Sequence, residues 1–209
     1  MKRQKTRREM LETAIVRGVL LAGVPASNGK LLAMWRQGSK PTKGTATNEV
    51  GPFFKKGAPS SPRLRQSGDT GLALHIAGKV INTRGEMVHG ATVDIWHADD
   101  KGIYDVHGYR FRAKLALSEN QYAVETVMPG HYPDRVCQHV HYMVQAPGHR
   151  TMVTQLYFAT DPVFEGDPQK HWQNEPLLDN PELIRPVTLY ENPGEVHAAV
   201  QFDIVLEKA

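Results

Sequence analysis

The chain alternates apolar and polar residues in short runs from about residue 71 onward, and Gly, Pro and Asn cluster between these runs. Alternation with a period of two predicts half-buried β-strands, and the clusters predict turns. This part of the chain has no long run with the 3.6-residue period of an amphipathic helix. Six or more short strands separated by turns are typical of an all-β, two-sheet β-sandwich. The predicted strands are 72–81, 91–97, 122–127, 136–146, 152–159 and 196–206.

Two parts of the 209-residue chain lie outside this strand pattern. Residues 160–195 contain six prolines without a clear period, so we expect an irregular segment that wraps the sandwich. Residues 28–48 are rich in Gly, Ser, Thr and Lys, which is typical of a linker. We therefore predict a basic N-terminal leader or arm with its linker over residues 1–47, and a β-sandwich domain over residues 48–209.

Charge divides the chain into a basic beginning and an acidic body. Residues 1–65 hold 14 Lys and Arg against 3 Asp and Glu, a balance of +11. Residues 66–209 hold the remaining 11 Lys and Arg against 19 Asp and Glu, a balance of −8. A nucleic-acid-binding protein carries its basic face on the folded part, so this distribution argues against a nucleic-acid partner. The chain has no run of about 18 apolar residues, so no ordinary transmembrane helix is expected.

The first residues have two interpretations. Arg7 and Arg8 precede a mildly apolar stretch, as in a twin-arginine export leader, which predicts a periplasmic or extracellular protein. Arg17 interrupts that stretch, and the alternative is an amphipathic surface helix over residues 8–22 in a cytoplasmic protein. The sequence leaves the location open between these two.

Candidate chemistry begins with the pair His139 and His141. Residues i and i+2 of a strand point to the same face, so these two imidazoles form half of a natural metal site. The alternatives are two surface histidines or one hydrogen-bonded core histidine, and cupins also use an H-x-H pair. Tyr104 and Tyr132 lie in turns at strand ends, where functional residues are displayed, although tyrosines there commonly cover the edge of a core. The single cysteine, Cys137, excludes an internal disulfide and a zinc finger, and we expect it to be a small buried hydrophobe.

Several motifs, taken in order, resemble the intradiol ring-cleavage dioxygenases, the non-heme iron(III) enzymes that include catechol and protocatechuate dioxygenases. Each motif is weak alone, but the ordered set is specific to that family. The likeness runs from about residue 48 to residue 158 and continues more weakly to the end. The matching segments are 51–54, 93–99 with 102–104, 109–112, 126–133, 138–141, 146–149 and 154–158.

The resemblance implies that a non-heme Fe(III) ion has four ligands, which are Tyr104, Tyr132, His139 and His141. Hard phenolate oxygens suit a ferric ion, and imidazole suits iron in general. The implied activity is cleavage of catechol or a substituted catechol by dioxygen between the two hydroxylated carbons, giving a cis,cis-muconate. In the family the second tyrosinate, here Tyr132, leaves the iron and takes up a substrate proton. The implied partners are a catechol-type substrate and dioxygen, and family members commonly form homo-oligomers.

Two further site residues are expected from the same resemblance. The family carries an arginine three positions before its first ligand histidine, where this chain has Val136, and Arg135 lies one position earlier. A shift of one residue along a strand turns a side chain to the other face. Arg135 therefore serves the site if a bulge or loop redirects it, and is otherwise a surface arginine. Gln155 matches a family glutamine near the substrate, and its alternative is a polar strand residue that faces water.

The substrate and the activity have alternatives. A carboxylate on the catechol ring would need a positive partner, for which Arg110, Arg112 and Arg150 are candidates. A catalytically silent β-sandwich binding module would be favoured if one of the four ligands were missing, and none is missing. A cupin-like site would use the H-x-H pair with a glutamate and a third histidine, and would give the tyrosines no role. The stretch before residue 51 is short for the helical dimerisation domain of catechol dioxygenases, so the plan resembles the protocatechuate type or compact single-domain members.

Overall fold

The computed structural model describes residues 43–133, 135–192 and 195–209. The predicted leader, the alternative helix over residues 8–22 and most of the predicted arm lie outside the described residues. They stay predictions, as does the domain boundary between residues 47 and 48. Within the described part of the chain, no helix has the length and apolar character needed to cross a membrane.

The described residues form ten β-strands and four helical turns. The strands are β1 (Ala73–Asn82), β2 (Thr92–Trp96), β3 (Arg112–Ala116), β4 (Gln121–Val127), β5 (His139–Gln145), β6 (Met152–Phe158), β7 (Ile184–Arg185), β8 (Thr188–Asn192), β9 (Glu195–Gln201) and β10 (Ile204–Leu206). Three of the helical turns are 3₁₀, at Pro162–Phe164, Trp172–Asn174 and Pro181–Leu183, and the fourth is a short α-helix, α1 (Pro168–His171).

The strands pair into two five-stranded sheets. In the first sheet β1 pairs antiparallel with β4 on one edge and parallel with β9 and then β10 on the other, and β8 extends the sheet from β9. The second sheet has the order β3-β2-β5-β6-β7 and is antiparallel except for the β6–β7 pair. This architecture confirms the predicted all-β, two-sheet sandwich.

The main core lies between the sheets and draws its residues mainly from the inward-facing side of the strands. In β5 the buried residues Val140, Tyr142 and Val144 belong to this core, and the ring of Tyr142 lies 5.1 Å from that of Phe202. Because strand side chains alternate between faces, His139 and the other odd positions of β5 lie on the opposite, outer face of the second sheet. A smaller apolar cluster covers that outer face; it comprises Trp96, Ala98 and Tyr104 with Phe53, Phe54, Tyr132 and Met143 packed against it. The fold thus places the H-x-H pair beneath a separate aromatic cover.

Several boundaries differ from the sequence prediction for identifiable reasons. The predicted strand 136–146 begins only at His139, since the residues before it form a turn. The predicted strand 196–206 divides into β9 and β10, because the backbone N–H of Lys79 donates to the side-chain Oδ1 of Asp203 at 3.1 Å between them. Residues 160–195 are more ordered than expected, because they contain the helical turns, β7 and β8.

Candidate metal centre and active site

The candidate site lies on the outer face of the second sheet, at the end where β2 and β6 finish and β5 begins. His139 and His141 open β5, and the strand register places Trp96 beside His141 and Tyr157 beside His139. The centroids of the two histidine rings are 4.9 Å apart. Both rings therefore lie on one face, as the i, i+2 spacing predicts.

Tyr104 and Tyr132 reach the histidines from two loops that pack backbone against backbone. The loop after β2 carries Tyr104 and the loop after β4 carries Tyr132, and a backbone hydrogen bond of 2.7 Å joins the loops. Gly102 has a φ of +80°, and a Cβ at this position would lie 2.0 Å from the carbonyl oxygen of His131. Only glycine adopts this backbone angle readily and also lets the two loops pack this closely. Gly102 therefore sets the separation of the two tyrosines.

The candidate donor atoms converge on His139. Its Nε2 atom lies 3.3 Å from the hydroxyl oxygen of Tyr132 and 3.5 Å from that of Tyr104. Two donors bound to one first-row metal ion at about 2.1 Å are roughly 3.0–3.4 Å apart, so these spacings fit a shared ion. The ring of His141 lies 6.4 Å from that of Tyr104, centroid to centroid, and closes the fourth side of the group. Two phenols and two imidazoles are a donor set that suits ferric iron.

The cupin-like alternative needs a glutamate and a third histidine beside the H-x-H pair. Among the described residues, no group of three His, Cys, Asp or Glu side chains is arranged to hold a metal ion. The side-chain oxygens that meet His139 of the pair instead belong to Tyr104 and Tyr132, as the family resemblance implies.

Burial keeps both candidate histidine ligands neutral, which is the form that binds a metal ion. Burial, with the charge of Arg135 acting in the same direction, lowers the pKa of His139 to about 3. Burial, then His139 and Arg135, lowers the pKa of His141 well below its ordinary value. The Nδ1 atom of His139 lies 2.8 Å from the carbonyl oxygen of Cys137, so Nδ1 carries the proton. The Nε2 lone pair of His139 therefore faces the two tyrosine hydroxyls.

Burial acts on the two tyrosines in the direction that opposes ligation. It raises the pKa of Tyr104 well above its ordinary value, and the neighbouring Tyr132 raises it further. Burial also raises the pKa of the half-buried Tyr132, although the positive charge of Arg135 opposes that rise. Phe53 stacks on Tyr104 with ring centroids 4.1 Å apart and contributes to this desolvation. Both phenols are therefore expected to stay protonated until a cation binds beside them.

Arg135 points into the site, although it lies one position before the arginine of the family pattern. It is in a turn before β5, where its backbone N–H donates to the carbonyl oxygen of Tyr132 at 2.9 Å, so the alternation rule for strands does not apply to it. Its guanidinium donates from Nη2 to Gln155 Oε1 at 2.9 Å and to the Tyr157 hydroxyl at 2.8 Å. Arg135 is only 6% exposed, which excludes the surface-arginine alternative.

Gln155 is fully buried and joins this network from β6. Its Oε1 atom accepts from Arg135 and, at 2.9 Å, from the Tyr157 hydroxyl. Its Nε2 atom donates to the carbonyl oxygen of Glu49 at 2.8 Å, which ties β6 to the segment leading to Phe53. The alternative of a water-facing strand residue is wrong for Gln155. A catalytic role for Arg135 and Gln155 stays a prediction, as does metal binding by the two tyrosines and two histidines.

A family model with the description "Dioxygenase" matches residues 50–208. The chain belongs to the intradiol dioxygenase family. Hydroxyquinol 1,2-dioxygenase from Nocardioides simplex is 30% identical over 178 residues, which are 71% of this chain and 58% of that protein. Catechol 1,2-dioxygenase from Pseudomonas sp. (strain EST1001) is 32% identical over 151 residues, which are 59% of this chain and 50% of that protein. The chain thus spans little more than half the length of these curated relatives.

A solved structure that is matched over nearly its whole chain also resembles this family member. It is the dioxygenase domain of a dioxygenase carbohydrate-binding protein fusion from Streptomyces sp. SirexAA-E, with 30% identity and a TM-score of 0.65. The match covers 81% of this chain and 99% of that chain. The family match over residues 50–208 includes both sheets and the loops that carry the candidate site.

Three arginines considered as partners for a substrate carboxylate have other partners in this intradiol dioxygenase fold. Arg112 donates to the carbonyl oxygens of Phe53 and Asp105. Arg110 pairs with Asp69. Arg150 lies 3.7 Å from Glu207, at a partly exposed ion pair. Each of the three is thus held by backbone or by a carboxylate.

Sequence reasoning missed two residues of the site, Tyr157 and Glu175. The signal for Tyr157 was available, because it lies two positions after Gln155 on the same strand and hence on the same face. Glu175 comes from the segment after β6 and is 1% exposed. Its carboxylate lies 3.3 Å from the Nε atom of Arg135 and also accepts the backbone N–H of Cys137 at 3.0 Å. No period or motif in residues 160–183 marks Glu175, since the path of that segment decides where it lies.

Proposed function

We propose that this chain cleaves catechol, or a substituted catechol, with dioxygen at a non-heme Fe(III) ion bound by Tyr104, Tyr132, His139 and His141. The bond between the two hydroxylated carbons breaks, and the ring opens to a cis,cis-muconate that contains both atoms of dioxygen. The observation that carries this proposal is the convergence of two phenol oxygens, one buried and one half-buried, on the Nε2 lone pair of His139. Relatives named catechol and hydroxyquinol 1,2-dioxygenase support the reaction class.

The chain's own residues supply binding, proton uptake and shielding from water. When bound, Fe(III) would supply the positive charge that favours deprotonation of the oxygens bound to it and that draws electron density from the catechol ring. Tyr132 is the less buried of the two tyrosines, so its phenolate is suited to give up its place to a substrate oxygen and to take up one of the two protons released, the other passing to solvent. Tyr104 lies under Phe53 and is suited to remain a permanent ligand.

Arg135 and its partners hold the charge that develops on the substrate. The guanidinium is fixed by hydrogen bonds to Gln155 and Tyr157, so its orientation costs little at the moment of reaction. Its charge acts on the candidate ligands, since it lowers the pKa of His139 and opposes the rise in the pKa of Tyr132. Phe53 and Trp96 cover Tyr104 and His141 respectively and limit the access of water to the donor atoms.

The test is the visible absorption spectrum of the purified protein, measured with an iron assay before and after anaerobic addition of catechol. Two tyrosinates on Fe(III) are expected to give a red-brown charge-transfer band that shifts when catechol binds. When dioxygen is admitted, one equivalent of catechol and one of dioxygen are expected to give one muconate. The mass of the product is expected to show that both oxygen atoms were added. A protein that stays colourless after loading with iron would overturn the assignment. That outcome would favour the silent binding module on the same scaffold.

A further inference from the structure

A buried carboxylate is paired with the arginine of the candidate site. Glu175 is 1% exposed, and its Oε1 atom lies 3.3 Å from the Nε atom of Arg135. Oε1 also accepts the backbone N–H of Leu177 at 3.1 Å, and Oε2 accepts that of Cys137 at 3.0 Å. The Nε atom of Arg135 and two backbone N–H groups thus lie around the carboxylate. Two backbone segments therefore hold the side chain of Glu175 against the guanidinium.

The guanidinium of Arg135 divides its partners between two edges. The Nη2 edge of Arg135 already serves Gln155 and Tyr157, and its Nε edge faces Glu175. The arginine therefore orients groups in the site while much of its net charge is offset by the neighbouring carboxylate.

The other arginines considered as partners for an anionic ring substituent are held elsewhere. Arg112 is buried and bonds to two backbone carbonyl oxygens, and Arg110 and Arg150 pair with carboxylates. A carboxylate on a catechol ring would lose its hydration in a buried site and needs a positive partner in return. Hydroxyl, chloro and methyl substituents carry no such requirement.

We propose that Glu175 offsets the charge of Arg135 and thereby selects catechols whose ring carries no ionised substituent. This inference rests on the proposed function of the same site. Glu175 is a positioning residue, because it acts through Arg135 and contacts neither the candidate metal ligands nor the reacting carbons. Glu175 also accepts the backbone N–H of Cys137 and so holds the turn before β5. This turn directs the side chain of Arg135 into the site.

The test compares kcat/KM of the iron-loaded protein for catechol, 4-methylcatechol and 3,4-dihydroxybenzoate. The wild-type protein is expected to prefer 4-methylcatechol, which has a similar size but no charge, over the carboxylated compound. Glu175→Gln keeps the volume and one acceptor oxygen but removes the charge and the second acceptor oxygen. It is expected to raise the ratio of kcat/KM for 3,4-dihydroxybenzoate to that for catechol by about 10-fold. Glu182→Gln removes the same charge from an exposed position of the same segment and is expected to leave the ratio as in wild type.

The outcomes separate this inference from the proposed function. Equal losses for the charged and uncharged substrates in Glu175→Gln would indicate a structural role alone and would overturn the charge argument. A wild-type preference for 3,4-dihydroxybenzoate over 4-methylcatechol would overturn it without any variant, which matters if loss of a buried charge unfolds the protein. Glu175→Asp retains the charge and is expected to keep the wild-type ratio. Failure of the iron-loaded wild type to cleave any catechol would instead contradict the proposed function.

Discussion

Burial and metal binding have opposite effects on the protonation of the two candidate tyrosine ligands. Burial raises the pKa of both Tyr104 and Tyr132, yet each must lose its proton to bind a cation. The positive charge that reverses this preference comes from the bound ion, with Arg135 contributing at Tyr132. Metal binding and phenol deprotonation are therefore coupled, and loss of either phenol weakens both.

Replacement of either tyrosine by phenylalanine tests this coupling. Tyr104→Phe and Tyr132→Phe each remove one oxygen donor and keep most of the ring contacts. We expect the iron content to fall, the charge-transfer band to weaken and kcat/KM for catechol to drop by more than about 100-fold. Iron assay, visible spectroscopy and oxygen uptake measure the three effects.

Tyr109→Phe is the matched control for these variants. Tyr109 is partly exposed, and its hydroxyl donates to the carbonyl oxygen of Lys56 rather than to a site residue. Its loss is expected to leave iron content and colour close to wild type. If Tyr104→Phe and Tyr132→Phe retained full iron and colour, as the control does, the two phenols would not be ligands.

Some residues of the candidate site could be predicted from the sequence, whereas the direction of Arg135 and the position of Glu175 could not. The i, i+2 spacing predicted that His139 and His141 share a face, and the family resemblance indicated the two tyrosines. The direction of Arg135 remained open, because it depends on where β5 begins, and the structure places that start at His139. Glu175 was not predictable, since a buried carboxylate 40 positions after Arg135 is brought there by tertiary packing alone.

At the scale of elements, the site depends on two loops that meet at a glycine. Tyr104 and Tyr132 belong to different strand ends, and their separation follows from the contact of Gly102 with the carbonyl of His131. A side chain on residue 102 would adopt an unfavourable φ and would also push the two loops apart. The contact between the loops thus sets the spacing of the two candidate tyrosine ligands.

Gly102→Ala is expected to lower both iron content and stability. The clash with His131 and the positive φ together are expected to reduce the free energy of unfolding by about 2–4 kcal/mol, and the displaced tyrosine to reduce iron content. Gly166→Ala is the matched control, because Gly166 has a φ of +81° and a Cβ added there would meet no atom within 4 Å. That variant is expected to lose about 1 kcal/mol and to keep its iron. Equal iron contents in the two variants would contradict the proposed role of the loop contact.

The strands that the sequence did not predict, β3, β7 and β8, were each missed for a separate physical reason. β3 carries Arg112 and Lys114, which are poor strand formers, and no β-branched or aromatic residue. Lys114 is accommodated because it faces Asp94 on β2, at 3.1 Å. β7 has only two residues, and β8 lies within the stretch that its prolines marked as irregular. The strands with clear alternation were predicted with their ends close to those observed, because their pattern reflects a face buried in the core.

At the scale of the whole molecule, His97 links the two sheets behind the candidate site. It follows β2 of the second sheet, and its Nε2 atom lies 2.7 Å from the hydroxyl of Thr126 on β4 of the first sheet. Its Nδ1 atom lies 2.6 Å from the carbonyl oxygen of Ala98, so Nδ1 carries the proton and Nε2 accepts from Thr126. Burial lowers the pKa of His97 to about 4. The contact between the sheets is therefore built on the neutral imidazole.

This linkage predicts how the stability of the metal-free protein depends on pH. In the unfolded chain a histidine titrates near its ordinary pKa of about 6.5, whereas His97 in the folded protein takes up a proton only near pH 4. Between these values the unfolded chain binds the additional proton, so the free energy of unfolding falls as the pH decreases from about 6.5 to 4. The contribution of His97 to that fall is about 3 kcal/mol. His139 and His141, whose pKa values are also lowered, add to the same trend in metal-free protein.

His97→Gln separates the contribution of His97 from that of the two candidate ligands. Glutamine can donate to Ala98 and accept from Thr126 without titrating, so the variant should fold, with some loss of stability at neutral pH. Urea denaturation in the presence of a chelator, at several pH values between 7 and 4, is expected to give a shallower fall in the free energy of unfolding than in wild type. The two proteins should differ in the slope of this fall between about pH 6.5 and pH 4, and above about pH 6.5 their slopes should be the same. Parallel curves for the two proteins would mean that the inter-sheet contact does not depend on the neutral form of His97.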